Sequence, residues 1–282
     1  MPPRVDLAQY GLQHASVLGR QLDLFSGRGL PGSDEVAARV EPARLVPSDL
    51  DDATLVAVLP EARLANCRAL CEEAGRRRLT AAVPALEALC QRFKGFGVEH
   101  AVPEQIAALR GLVAIRTHEA GVAVARFITG NVVQGPALHE AVRAAAIIGC
   151  RLPPGFSLKL LRHHDPRVRA AACRCTQLHA EVIPLLLDLL DDLHGTVAFA
   201  AGCALGRAGR IEARPMLTRL LREGPTAEVI DAVSSVADED CIVQLGRIAR
   251  TNVELSAAAI NALDAIDNPR AQAIAETLRG PA

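Results

Sequence analysis

Tryptophan is absent from this sequence, tyrosine occurs once and phenylalanine six times, so aromatic residues make up 2% of 282 positions. A core without large rings has to be filled by Ala, Leu, Val and Ile, which suits closely packed helices better than sheets. Net charge is nearly absent too. With 31 basic against 32 acidic residues the balance is −1, so no bulk field draws the chain to nucleic acid or to an anionic membrane. No apolar run reaches the ~18 residues that a spanning helix needs. Met1-Pro2-Pro3-Arg4 is not followed by an apolar stretch of the secretory kind. A cytoplasmic protein without membrane contact is therefore expected.

The eight cysteines lack ligand spacing. Cys67 and Cys71 are four apart, Cys173 and Cys175 two apart, and Cys90, Cys150, Cys203 and Cys241 stand singly in apolar stretches. No C-x-x-C pair occurs and no histidine sits at zinc-finger distance from a cysteine pair. Reduced core thiols are expected, with no metal, no cofactor and no disulfide needed for folding. Lysine is scarce: Lys94 and Lys159 leave 29 of the 31 basic residues as arginine. With so much alanine and glycine, that balance is the pattern of a GC-rich bacterial genome.

What is present is ample apolar surface, 50% of residues with a mean hydropathy of +0.20, which excludes global disorder. Residues 1–46 differ from the rest. Gly27, Gly29, Pro31, Gly32, Ser33 and Pro42 leave no window for a sustained helix between Ser26 and Pro47, so a tail with a flexible tether is predicted. Residues 47–282 form the body. Amphipathic helical patterns appear over 62–76, 83–93, 104–116, 121–128 and 137–148, with no strand-like alternation between them. The fold class is all-α.

Internal repetition organises that body. His164-Asp165-Pro166-Arg167-Val168-Arg169-Ala170-Ala171-Ala172 is followed by a second apolar helix beginning Val182-Ile183-Pro184-Leu185. Related pairs start at Thr196, Glu228 and Leu255, and a further unit opens at Glu140. The anchors Val142, Val168, Val197, Val229 and Leu255 are 26, 29, 32 and 26 residues apart, the length of a helix pair with two short turns. These units resemble HEAT-like repeats of the bilin-lyase type, whose first helix begins Asp-x-x-Val-Arg-x-x-Ala-Ala. The likeness is closest at Asp165, Val168, Arg169 and Ala172 and covers roughly residues 136–280. It implies a solenoid of antiparallel helix pairs that acts as an interaction scaffold. Asp165 and Arg169, four apart, are expected to pair across one turn for about 0.3–0.5 kcal/mol.

Signatures of chemistry fail on context. Gly27-Arg28-Gly29-Leu30-Pro31-Gly32 spells G-x-G-x-x-G, but no strand precedes it and Pro31 sits inside it. His118-Glu119 and His139-Glu140 lack the second histidine of a zinc protease. His163-His164 are placed to cap helix carbonyls. Arg76-Arg77-Arg78 and the series Arg207, Arg210, Arg214, Arg219 and Arg222 read plainly as solvated helix faces. The second series, above all Arg207, Arg210 and Arg214, is also the candidate basic patch. A HEAT-repeat DNA glycosylase would hold DNA there, but interleaved acids, the missing tryptophan and the net charge do not support DNA as partner. No catalytic residue is assigned and the chain is read as non-enzymatic.

One short motif stands out. Gln21-Leu22-Asp23-Leu24-Phe25 resembles, residue for residue, the Gln-Leu-(Ser/Asp)-Leu-Phe pentapeptide by which bacterial replication and repair proteins bind the DNA polymerase sliding clamp. The resemblance implies that Leu24 and Phe25 enter an apolar pocket, Gln21 bonds at its rim and Leu22 covers the side. A structural alternative exists: Leu7, Tyr10, Leu12, Val17, Leu18, Leu22 and Phe25 can line one face of a helix docked on the array. The favoured reading is a non-enzymatic scaffold that binds the sliding clamp through Gln21–Phe25 and a second protein through its repeats. A general assembly or maturation factor without a replication link is the alternative.

Overall fold

The structure is a computed structural model that describes residues 46–279. Among the described residues every regular element is helical, fifteen α-helices linked by short turns, several of them 3-10, and there is no strand. Contacts divide the chain into two compact units that meet in sequence at Cys150–Arg151.

The first unit holds α1 (Asp52–Val58), α2 (Leu64–Arg76), α3 (Val83–Arg92), α4 (Pro103–Ile115), α5 (His118–Thr129) and α6 (Gly135–Ile148). Helix α4 packs between α2 and α6, while α3 packs on α5 and α4. Alternate helices thus form two layers. The second unit repeats the scheme with α7 (Pro154–Leu161), α8 (Pro166–Cys175), α9 (Val182–Asp188), α10 (Gly195–Arg207), α11 (Arg214–Glu223), α12 (Ala227–Ser234), α13 (Glu239–Thr251), α14 (Val253–Ala265) and α15 (Pro269–Arg279). Here α8, α10, α12 and α14 follow one another as one layer, and α11, α13 and α15 succeed one another in the other. This is a HEAT-like helical-repeat architecture.

Local chemistry sets the helix boundaries. Asp51, Asp165, Thr226, Asp238 and Asn252 each precede a helix and accept an amide of its first turn with the side chain, as Asp51 does from Thr54 at 2.7 Å. Each such cap satisfies one otherwise unpaired donor, a contribution of about 1 kcal/mol. Arg116 and Gly149 end α4 and α6 in the left-handed region, with φ of 56° and 78°.

Packing depends on small residues. Val197, Ala200, Ala201, Cys203 and Leu205 of α10 are wholly buried, and two glycines on the same helix admit its neighbours. A Cβ on Gly206 would lie 2.5 Å from Leu217 Cδ1 and 2.7 Å from the Ala232 carbonyl oxygen. In the first unit, a Cβ on Gly75 would meet the Ala114 methyl at 2.6 Å. Side chains cannot occupy such space, so the helix backbones approach directly.

Two local expectations change. Asp165 is the cap outside α8, bonded to the Arg167 amide at 2.8 Å and to its guanidinium at 2.8 Å. Arg169 instead reaches Asp192 with two bonds of 2.9 and 3.0 Å, and both side chains are largely buried. Its remaining nitrogen donates to the carbonyls of His163 and His164 at 2.8 and 3.0 Å. The arginine, not the histidines, therefore caps that turn, and His163 Nδ1 accepts the Asp165 amide. Such a buried bidentate pair is costly to break, about 3–5 kcal/mol when one partner is removed.

Replacing Gly206 by Ala should destabilise the protein by about 2 kcal/mol, although the same change in an open helix stabilises by up to ~1 kcal/mol. Gly155, in α7 with open space around it, supplies the control: Gly155→Ala should leave urea stability unchanged or raised. Equal effects at both sites would refute the close-approach account.

Candidate functional site

The pentapeptide Gln21–Phe25 lies outside the described residues. The chain is first described at Val46, and Arg77 fixes its course from there. Arg77 donates to the carbonyls of Pro47 (3.2 Å), Ser48 (3.1 Å) and Leu50 (2.8 Å), and it also bonds Asp52 and Glu73. Arg76 donates to both oxygens of the same Glu73 carboxylate, at 2.6 Å to Oε1, which Arg77 also bonds, and at 2.8 Å to Oε2. These hydrogen bonds from Arg76 and Arg77 overcome the burial of Glu73 and hold its carboxyl at about 2. The run Arg76-Arg77-Arg78 is thus not one solvated face. Arg76 is mostly exposed, whereas the Arg77 side chain is only 18% exposed and straps the incoming segment to α2.

The three arginines of the candidate basic patch have separate partners. Arg207, at the end of α10, lies 4.0 Å from Glu228 and 3.8 Å from Asp231 of α12. Arg210 pairs with Glu212 at 2.6 Å in the following turn. Arg214, at the start of α11, donates to the Val236 carbonyl at 2.6 Å, and Arg222 further along that helix pairs with Asp240.

Arg207 belongs to a network that the sequence does not announce. Arg174 of α8 reaches Glu228 of α12 with bonds of 2.9 and 3.3 Å, passing over α10 and its Phe199 ring, whose centroid is 6.0 Å away. Residues 54 apart in sequence meet because α8 and α12 both pack on α10. Cys203 lies buried beneath, its thiol pushed up to about 12 by burial and by Glu228. Arg174, Glu228, Arg207 and Asp231 alternate in sign, so this face carries no net formal charge.

In the first unit a groove of about 380 Å³ opens between the beginnings of α3 and α5. Its apolar lining is Ala81, Val83, Pro84 and Val122, and the polar groups around it are His118, Glu119 and the Arg126–Glu87 ion pair, 3.0 Å long. Thr117 caps α5 here. Glu119, in the first turn, is held below the ordinary carboxylate range by its own backbone amide and by the Thr117 hydroxyl. A volume of this size is at the lower end of small-ligand and peptide pockets. Among the described residues no group of three His, Cys, Asp or Glu side chains is placed to hold a metal, and no helix is long and apolar enough to cross a membrane. None of the eight cysteines is in a disulfide, and only Cys150 and Cys175 are partly exposed.

Residues 154–237 match the family model of HEAT repeats. The matched stretch begins with α7 and ends just after α12, so it contains both the α10 close approach and the Arg174–Glu228 bridge. The comparison with curated proteins finds no match for the chain. HEAT repeats are typically non-enzymatic scaffolds for protein interaction, and the layered helix pairs on both sides of Cys150 extend that architecture beyond the matched residues.

Arg77→Ala should cost about 2–4 kcal/mol, because it strips hydrogen bonds from three carbonyls and removes one of the three arginine bonds to the buried Glu73 carboxylate. Arg76→Ala strips no carbonyl but removes two of the three arginine bonds to the largely buried Glu73 carboxylate, and should cost about 1–3 kcal/mol. The depressed Glu73 carboxyl stabilises the fold above the ordinary glutamate range near 4.3 and loses that contribution as pH falls toward 2. Urea titrations at stepwise lower pH should therefore show a steeper acid loss in wild type than in Glu73→Gln; parallel curves would contradict the assignment.

Proposed function

We propose that this protein is a non-enzymatic HEAT-like scaffold that attaches to the bacterial DNA polymerase sliding clamp through Gln21–Phe25 and presents its repeats to a second protein. The observation that carries the clamp reading is the unbroken string Gln21-Leu22-Asp23-Leu24-Phe25 placed ahead of a Gly/Pro-rich segment. Such a string has coherent chemistry. Burying the Leu24 and Phe25 side chains supplies roughly 3–6 kcal/mol before ordering costs, which puts a lone peptide in the micromolar range of an exchangeable partner.

The second partner is read as protein rather than DNA. Phosphate backbones are held by unneutralised cations, whereas Arg207, Arg210 and Arg222 are each faced by carboxylates and Arg214 is engaged by a carbonyl. On α8, α10, α12 and α14 the sole aromatic residue is Phe199, with Arg174 above it, so the layer offers little for stacking a base. The same neutralised face also favours the alternative, a general interaction scaffold without a replication link. Glycosylase chemistry finds no comparable support.

Titration calorimetry decides between the first two. The wild-type chain should bind a bacterial sliding clamp at micromolar concentration, and Leu24→Ala with Phe25→Ala should reduce binding by at least a hundredfold, about 3 kcal/mol, without changing helical circular dichroism. A wild-type chain that ignores the clamp of its own host would leave the scaffold alone standing.

A further inference from the structure

We propose that the neighbouring outer faces of α11 and α13 form a docking surface for an acidic amphipathic helix of a partner protein, held by Arg219, Arg222, Arg247 and Arg250. The inference rests on the reading of the repeats as a surface for a second protein and is independent of the clamp.

Repeat register brings these four side chains together. On α11 and the turn before it Ala213, Leu217 and Leu221 are buried, and so are Cys241, Leu245 and Ala249, each 28 residues further on. Positions with this offset therefore face the same way on two helices that pack side by side. By the same offset Pro215, Arg219 and Arg222 correspond to Val243, Arg247 and Arg250. Val243 is 44% exposed, and the other five are exposed as well. Within each helix the spacing is i, i+4, i+7, one stripe along the outer face. Each stripe opens on an apolar residue and continues with two arginines one turn apart, about 5 Å. The two rows lie about 8–10 Å from each other. Arg222 pairs with Asp240, but among the described residues Arg219, Arg247 and Arg250 have no carboxylate partner. The acids of these helices do not offset them: Asp240 is taken by Arg222 and Glu239 by Arg270, which leaves Glu223.

The neighbouring helices limit what fits. Helix α9, which packs on α10 as α11 does, is in register with α11 at an offset of 31, Val182 and Leu186 matching Ala213 and Leu217. It puts Asp188 where α11 has Arg219. Helix α15 is in register with α13 at an offset of 30, through Ala271 and Ala275, and puts Thr277 where α13 has Arg247. The cationic surface is thus confined to two helices. A single α-helix, about 10–12 Å across, covers two rows at that separation. A DNA duplex, whose grooves alone are about 12 and 6 Å wide, overhangs them and brings phosphates toward Asp188. Nor does α9, α11, α13 or α15 carry an aromatic ring on which a base could stack. A partner helix with carboxylates at one-turn intervals and an apolar residue before them matches the rows in spacing and sign, and covers Pro215 and Val243 at their start.

Fluorescence anisotropy on the full chain tests this with a labelled helical peptide of about 18 residues. It carries leucine at i and glutamate at i+4, i+7 and i+11 on an Ala/Gln background, and a second peptide has glutamine at the three glutamate positions. At low salt the glutamate peptide should bind ~10-fold more tightly than the glutamine peptide. Arg219→Glu with Arg247→Glu should weaken that binding ~10-fold without changing circular dichroism. Arg250→Glu alone, a second variant in case the double one does not fold, should weaken it several-fold. Arg151→Glu with Arg162→Glu, at two exposed positions elsewhere in the same unit, makes the same change in net charge and should leave binding unaltered. No preference for glutamate overturns the proposal, and so does an equal loss in both double variants, which means bulk charge. Binding that survives Arg219→Glu with Arg247→Glu and Arg250→Glu also overturns it, by placing the acidic helix on another face, while the scaffold reading stands. A short DNA duplex that binds more tightly than the peptide, and is lost in the same variants, overturns both this proposal and the reading of the second partner as protein.

Discussion

The second unit depends on helix backbones coming close enough at α10 to exclude a side chain. A methyl on Gly206 would strike both Leu217 and the Ala232 carbonyl, which means that α10 touches α11 and α12 through the same residue. With alanine, glycine and cysteine at Ala200, Ala201, Gly202, Cys203 and Ala204, the helix is thin enough to be wrapped by its neighbours and bridged from above by Arg174 and Glu228. An aromatic at any of these positions would push the layers apart. The scarcity of aromatics is thus a requirement of this packing, not only a property of composition.

Arginine does the connecting. Arg77, Arg92, Arg169 and Arg214 each reach backbone carbonyls of a turn outside their own helix: Pro47, Ser48 and Leu50 for Arg77, Pro60 and Ala62 for Arg92, His163 and His164 for Arg169, and Val236 for Arg214. A guanidinium has five donors in a planar fork, so one side chain can satisfy several carbonyls and a carboxylate at once, which an ammonium on a flexible stem cannot do as well. Composition alone links the 29 arginines to genome bias, while the structure gives many of them a physical task. It also explains why an arginine-rich series need not be a phosphate-binding surface.

Much of the fold is legible from periodicity. The windows at 62–76, 83–93 and 104–116 coincide with α2, α3 and α4 to within two residues, because the 3.6-residue pattern and the flanking prolines agree. Helix α7 has no comparable signal: it is short and opens on Pro153-Pro154-Gly155. Side-chain partners are far less legible. Asp165 and Arg169 have ideal helical spacing, yet Asp165 lies just outside the helix and Arg169 finds Asp192, 23 residues on in the connection between α9 and α10. Arg174 and Glu228 have no sequence signal, since their meeting depends on α8 and α12 both packing on α10. The groove is equally silent, being assembled from α3, the turn before it, and α5.

Hydrogen exchange on the full chain, with and without the sliding clamp, tests most directly the claim that binding is carried by a short segment while the repeats remain available. The account predicts that the clamp slows exchange over residues 20–26 and leaves α8 to α15 unchanged. Protection that appears on the repeat helices instead, with none at residues 20–26, would contradict it.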